Sequence, residues 1–485
     1  MVDVSRPTIG PLAAGLLLAL LAARGAPAQR VEAGPDSARR AFEAETLEHY
    51  QALLRADTRN PPGNESRAVE VLRAALEREG VPFEIFALEP ERANLVARLR
   101  GNGTKPPLLI MAHTDVVTVD PAKWSVPPFS ATVSDGYVIG RGTVDDKDNL
   151  VASLMTVLDL ARRVGRGELA LARDLIFLAE SGEEGTTHVG IAFMVDRHFD
   201  AIDAEFCLAE GGSVVREGGA PRYASVQTLE KRPYAVELVA RGVAGHGSVP
   251  LRTNSVVRLS KAVAAVGEWR SPIRLNETTS AYFERLASIS EPEAAARYLA
   301  LLDPETADEA DGYLLEHEPR HASMIRTSLS PNVVDGGYRI NVIPSEAKAV
   351  VDVRVLPDEN VPDLLEQIRT VIDDEAVEVR LGERAMRPPG GEVDLGSDAF
   401  LAIEEETREH YGVITLPSMS TGATDMAFLR ANGVQCYGIG PAIDVEDGPK
   451  GFGAHSDQER ILVDELHRFV RFHRDLVERL VGVER

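Results

Sequence analysis

The stretch Pro107-Leu-Leu-Ile-Met-Ala-His113-Thr-Asp115 decides how this sequence is read. Five apolar residues in a row, closed by proline on one side and polar residues on the other, mark a strand buried on both faces, because a half-exposed strand would alternate. Working outward, Asp174-Leu-Ile-Phe-Leu-Ala and Ala204-Glu-Phe-Cys-Leu-Ala repeat the pattern, while Leu150–Arg162 and Gly185–Phe199 read as helices. Strands alternating with helices predict an α/β sheet. In such sheets, residues just beyond the carboxyl ends of the strands escape the packed core and collect function. Upstream, two amphipathic helices are expected between Ser37 and Glu79, broken at Pro61-Pro62-Gly63.

From Lys231 the rhythm changes. Tyr234-Ala-Val-Glu-Leu-Val-Ala alternates like a half-exposed strand, Ser255–Val266 is helical, Asp335–Val342 and Ala347–Val355 read as strands, Val361–Ile372 as a helix, and a short strand is expected near Val377. That β-α-β-β-α-β order describes a ferredoxin-like unit, interrupted by a polar, helix-prone excursion from Pro272 to Ser330. α/β character then returns, with helices at Asp398–Tyr411, Met426–Asn432 and Ile461–Val481 and a strand at Val434–Ile439. The expected organisation is a catalytic domain in two parts, residues 29–230 and 383–485, with an inserted domain at 231–382.

The chain has 485 residues, with 76 Asp plus Glu against 52 Lys plus Arg, a formal charge of −24. Such a negative field argues against a nucleic-acid or anionic-membrane partner. Cys207 and Cys436 are the sole cysteines, so neither a disulfide framework nor a thiolate zinc cluster is available, and any metal must sit on His, Asp or Glu. Residues 1–28 read as a signal peptide: Arg6, an apolar run from Leu12 to Ala23, and small residues at Ala26-Pro27-Ala28, with cleavage before Gln29. The run is too short to span a bilayer, and nothing else in the sequence is long and apolar enough. An exported protein, periplasmic or extracellular and without a stable membrane span after cleavage, is expected.

Ligand-type side chains recur at the predicted strand ends. His113-Thr-Asp115 follows the first apolar strand, and alternation along an extended segment turns both side chains to one side, as for a metal-binding histidine with its orienting carboxylate. Gly140-Arg-Gly-Thr-Val-Asp145-Asp146-Lys147 precedes a helix. Glu180-Ser-Gly-Glu183-Glu184-Gly185 follows the second strand, Glu210-Gly-Gly the third, and Gly453-Ala-His455-Ser lies in a late loop. Each alone suits a surface histidine, a helix cap or an acidic loop. Two imidazoles and three carboxylates at one strand end or loop after another suit a pair of zinc ions.

In order and spacing these motifs resemble metallopeptidase family M20, the co-catalytic zinc hydrolases that include aminoacylase-1, glutamate carboxypeptidase and carboxypeptidase S-like enzymes. The resemblance covers nearly the whole mature chain. It implies a three-layer α/β zinc-peptidase catalytic domain with an inserted ferredoxin-like α+β lid and dimerisation domain, in a homodimer. It also implies two Zn2+ ions, with Co2+ or Mn2+ as alternatives: one held by His113, Asp145 and Glu210, the other by Asp145, Glu184 and His455. Asp115 would orient His113, and Glu183 would be the general base toward a metal-bound water attacking an amide or peptide bond. His246, within Gly242-Val-Ala-Gly-His-Gly-Ser248, would reach the partner subunit's site and stabilise the oxyanion. Arg354 would grip the substrate carboxylate, with Asn341 a further substrate-binding candidate. Dipeptides, C-terminal residues of small peptides and N-acyl amino acids all fit as substrates. Many relatives carry an arginine immediately after the Thr-Asp of a late glycine-rich loop; here Thr424-Asp425 is followed by Met426. The alternatives are a zinc aminopeptidase of the single-domain type, and a catalytically silent binding protein on the same fold.

Overall fold

The computed structural model describes residues 35–383, 387–391 and 393–483. The expected signal segment lies outside the described residues, and among these no helix is long and apolar enough to cross a membrane.

A ten-stranded sheet is built around four parallel strands in the order Leu175–Glu180, Leu108–His113, Phe206–Ala209 and Gln435–Gly438. The three apolar stretches that anchor the sequence reading are all in this set. Leu109 and Met111 face one side of the sheet, packing with Ile176, Leu178 and the helix Ile191–Ile202. The helix Lys147–Gly165 lies against the sheet, with the C-terminal helix Val463–Val481 packed on it. Complete burial of both faces is what an unbroken apolar run specifies, at roughly 1.5–3 kcal/mol per large apolar side chain.

A second, antiparallel sheet has the order Ser328–Gly336, Glu346–Val355, Arg232–Arg241 and Val377–Leu381. The helices Ser255–Glu268 and Val361–Ile372 pack on it through Leu259, Val266, Leu364 and Ile368. The chain passes from one sheet to the other through a single residue, Lys231, between the strands Ala220–Glu230 and Arg232–Arg241. Its buried Nζ donates to the hydroxyls of Ser323 and Ser328, and burial pushes its pKa down to about 7.

Several boundaries differ from expectation. The strand expected at Asp335–Val342 runs instead from Ser328 to Gly336, because Gly337 at φ +81° turns the chain where an L side chain would be strained. The helix expected from Gly185 starts at Ile191, since Gly185 is at φ +100° and Gly190 is also non-helical. Arg460–Leu462 pairs as a strand with Tyr137–Ile139, so the last helix begins at Val463. The excursion forms four helices between Glu277 and Met324. Their core, with Phe283, Leu286 and Leu314, extends to Leu416 on the strand Thr415–Ser420 of the large sheet, which the sequence reading did not find.

Candidate metal centre

The parallel register sets the site. His113 ends its strand directly opposite Glu180, and Glu210 follows immediately after Ala209, so three chain segments leave the sheet at one edge. The loop before the helix Lys147–Gly165 brings Asp145 to the same edge. Its Oδ1 lies 3.0 Å from Nε2 of His113, which is also 3.9 Å from Oε2 of Glu210. Its other oxygen, Oδ2, lies 3.0 Å from Nε2 of His455, which is 2.9 Å from Oε1 of Glu184. Two triads therefore meet, His113–Asp145–Glu210 and Asp145–Glu184–His455, each with its ligand-type atoms within 4.8 Å of one another. Asp145 belongs to both, one oxygen toward each histidine.

Buried acids in such number repel one another. Burial pushes the pKa of Glu210 well above its ordinary value, and Glu183 beside it pushes it further. His455 is driven up to about 10 by its hydrogen bonds to Asp145 and Glu184. Burial opposes protonation of His113, yet Asp115 and Asp145 raise its pKa well above that of a free imidazole. The two imidazoles take up positive charge beside the carboxylates and, against the opposing effect of burial, their hydrogen bonds to Asp145 hold its carboxyl below the usual range. A donor set of two imidazoles and three carboxylates that draws in positive charge fits divalent cations. His455 itself is at φ +61°, a left-handed conformation that non-glycine residues rarely adopt.

The surrounding hydrogen bonds assemble these loops. Asp115 accepts from the backbone N–H groups of Glu183 and Glu184 at 3.1 Å each and from Asn60 at 2.8 Å, so it fixes the glutamate pair; Nδ1 of His113 lies 3.0 Å from the Asp115 backbone carbonyl and 3.5 Å from its carboxylate. Glu459 receives Arg141 at 2.6 Å and the N–H groups of Gly142 and Val144, while Arg141 also donates to the carbonyl of Ser456. The Asp145 loop and the His455 loop are thereby tied together. Lys147 is buried and donates to the carbonyls of Leu53 and Ala56, capping the helix Pro35–Arg55. Asn60, Arg141 and Glu459 were not singled out as site residues in the sequence; the arginine inside the glycine-rich loop was the one available signal.

A cleft of about 510 Å3 opens over the triads, lined among others by Asp145, Glu183, Arg354, Arg387, Gly422 and Ala423. Glu183 sits in it as a buried acid whose pKa burial raises to about 8, with Arg387 opposing the rise. Arg387, also absent from the sequence reading, lies 2.7 Å from Oε1 of Glu183 and 2.8 Å from Oδ1 of Asp425. Arg354 reaches the cleft while paired to Asp352 at 3.1 Å. Met426 is fully buried in the core beneath the sheet and does not face the cleft. His246 and Asn341 are not among the cleft-lining residues. They meet at the tip of the second sheet, where Gly245–His246 pairs with Val342–Ile343 and the N–H of Gly247 donates to the carbonyl of Asn341.

Residues 109–479 match peptidase family M20/M25/M40. The chain belongs to this family. Its M20/M25/M40 relatives include the N-fatty-acyl-amino acid synthase/hydrolase PM20D1 of Xenopus tropicalis, 27% identical over 381 residues, spanning 77% of this chain and 72% of that protein. The probable carboxypeptidase S-like 2 of Dictyostelium discoideum is 28% identical, over 66% of this chain and 61% of its own length. The fold is shared with a crystal structure of an M20 metallo-carboxypeptidase from Sulfolobus solfataricus, at TM-score 0.64 and 19% identity, covering 90% of this chain and 98% of that one. It is also shared with human carnosine dipeptidase 1, at TM-score 0.61 and 16% identity, covering 91% and 97%. As an M20/M25/M40 member, the protein is a hydrolase.

Proposed function

We propose that this M20 hydrolase is an exported two-metal amidase acting on a small peptide or an N-acyl amino acid with a free carboxylate. The observation that carries the reading is Asp145, whose two oxygens each lie 3.0 Å from a different histidine, the arrangement of a carboxylate shared by two cations. His113 and Glu210 would complete one ion's protein ligands, and Glu184 and His455 the other's. Zn2+ suits this mixture, with Co2+ or Mn2+ as alternatives. When bound, such a pair acidifies a water and polarises a carbonyl.

The chain's own groups would then divide the work. Glu183, with Oε1 held by Arg387, would accept the proton of the attacking water on Oε2 and pass it to the departing nitrogen. Asp115 would fix the orientation of His113 and the backbone of the glutamate pair. Arg354 would receive the substrate carboxylate, a role suited to a guanidinium that lines the cleft. Resemblance to PM20D1 supports N-acyl amino acids as substrates, and resemblance to the carboxypeptidase S-like protein supports peptides. The inserted segment 231–382 would serve as lid and dimerisation domain, with His246 contributing to the partner subunit's site and Asn341 a further substrate-binding residue.

The test is hydrolysis of a panel of dipeptides and N-acyl amino acids, each beside its amide-capped analogue, with and without a chelator. Expected is cleavage of one class, abolished by chelation, restored by Zn2+ and weakened on capping the carboxylate. Chelator-insensitive hydrolysis, or none with two ions bound, would sink the proposal.

A further inference from the structure

The adjacent glutamates pose a problem that the two triads leave open. Ligand-type atoms of His113, Glu183 and Glu184 also lie within 4.8 Å of one another, so distance alone would let Glu183 bind a cation. A carboxylate that coordinates a cation no longer has that lone pair for a proton. Some group must hold Glu183 aside.

The surroundings of Glu183 supply that group. Oε1 of Glu183 is 2.7 Å from Nη2 of Arg387, and Nη1 of the same guanidinium is 2.8 Å from Oδ1 of Asp425. Asp425 is almost wholly buried, immediately before the core helix Met426–Arg430, so it is a fixed anchor. A planar fork pinned at one nitrogen presents its other nitrogen in a set direction. Glu184 has a different partner: its Oε1 faces His455 at 2.9 Å. The two neighbours thus differ in what opposes them, one a guanidinium and the other an imidazole of the triad.

We infer that Arg387 is a positioning residue that keeps Glu183 out of metal coordination and so decides which of the two neighbouring glutamates carries the proton. The inference rests on the two-metal reading above. Without the guanidinium, Glu183 faces a pair of dications with nothing holding it back, and it becomes an additional ligand. Turnover is then lost because the proton carrier is gone, while substrate binding through Arg354 is retained.

The experiment uses the full chain loaded with Co2+, whose visible absorption weakens as its coordination number rises. Arg387→Met is compared with Arg387→Lys and with Arg387→Met/Asp425→Asn, which also removes the buried carboxylate and guards against a folding failure of the single variant. Expected for Arg387→Met and for the double variant are weaker Co2+ absorption, kcat lower by about 10²- to 10⁴-fold, as for loss of Glu183 itself, and KM changed by less than about 3-fold. Adding Glu183→Ala should return the absorption to the wild-type level without returning turnover, and Arg387→Lys should keep part of the turnover. Wild-type absorption in both Met variants overturns the inference. A raised KM with unchanged kcat does so too, and makes Arg387 a substrate contact. Wild-type protein that takes up no Co2+ overturns the two-metal reading and this inference together, whereas two bound ions with an unaltered variant spectrum overturn this inference alone.

Discussion

Asp145 and Glu183 differ in what their oxygens meet, and their expected substitution effects differ accordingly. Asp145 offers one oxygen to each histidine, so Asp145→Asn should lower the affinity for both metals, read as stoichiometry after dialysis against a weak chelator. Glu183→Gln leaves both triads intact and should retain two ions while losing about 10²- to 10⁴-fold in kcat. Turnover near the wild-type rate would remove Glu183 from the chemistry. The candidate ligands were legible in the sequence because each stands at the end of an apolar run or in a glycine-framed loop, where side chains leave the core. Arg387 was not legible. It ends no apolar run and stands in no glycine-framed loop with an acid, and its partners Glu183 and Asp425 are 204 and 38 residues away.

At the scale of elements, the site is a set of loops held by buried polar groups. Glu459 accepts from Arg141, Gly142 and Val144, and so joins the loop before one helix to the loop before another. Glu459→Ala should lower metal affinity by about 10- to 100-fold, measured by chelator competition, although Glu459 touches no ligand atom. The helices carry their own prediction. His473 on the C-terminal helix is fully buried against Thr156 of the helix Lys147–Gly165, at 2.8 Å, and burial lowers its pKa from 6.5 to about 3. The folded state thus refuses a proton that the unfolded chain accepts. Its contribution is complete above pH 6.5 and is lost as pH falls from there toward 3, by about 1.4 kcal/mol per pH unit. His473→Asn should flatten the acid side of the stability profile followed by urea midpoint. Helices and strands of regular period were readable to within a few residues; the strand Thr415–Ser420 was missed because Pro417 and the serines beside it carry no apolar alternation.

For the molecule as a whole, the tip of the second sheet exposes Val243, Val249, Val333, Val334, Tyr338 and Ile340, the last two at 82% and 103%. This apolar patch next to His246 supports the proposed homodimer. Ile340→Asp should yield a monomer by light scattering, with turnover lost if His246 acts across the interface. Complementation separates that from misfolding. His246→Ala and Glu183→Gln proteins, each inactive alone, should recover about a quarter of wild-type activity after random subunit exchange, because half the dimers then hold one complete site. No recovery despite proven exchange would place His246 in its own subunit's site, and an active His246→Ala protein would place it outside the reaction. By itself the sequence determined the α/β class, the β-α-β-β-α-β insert and the ligand-type residues at the strand ends, because burial imposes a local period on the side chains. Only the tertiary structure decided that Arg141 meets Glu459 across 318 residues and that Arg387 takes one of two adjacent glutamates. Hydrogen bonds between distant loops depend on where the sheet carries their ends, and they leave no periodic trace along the chain.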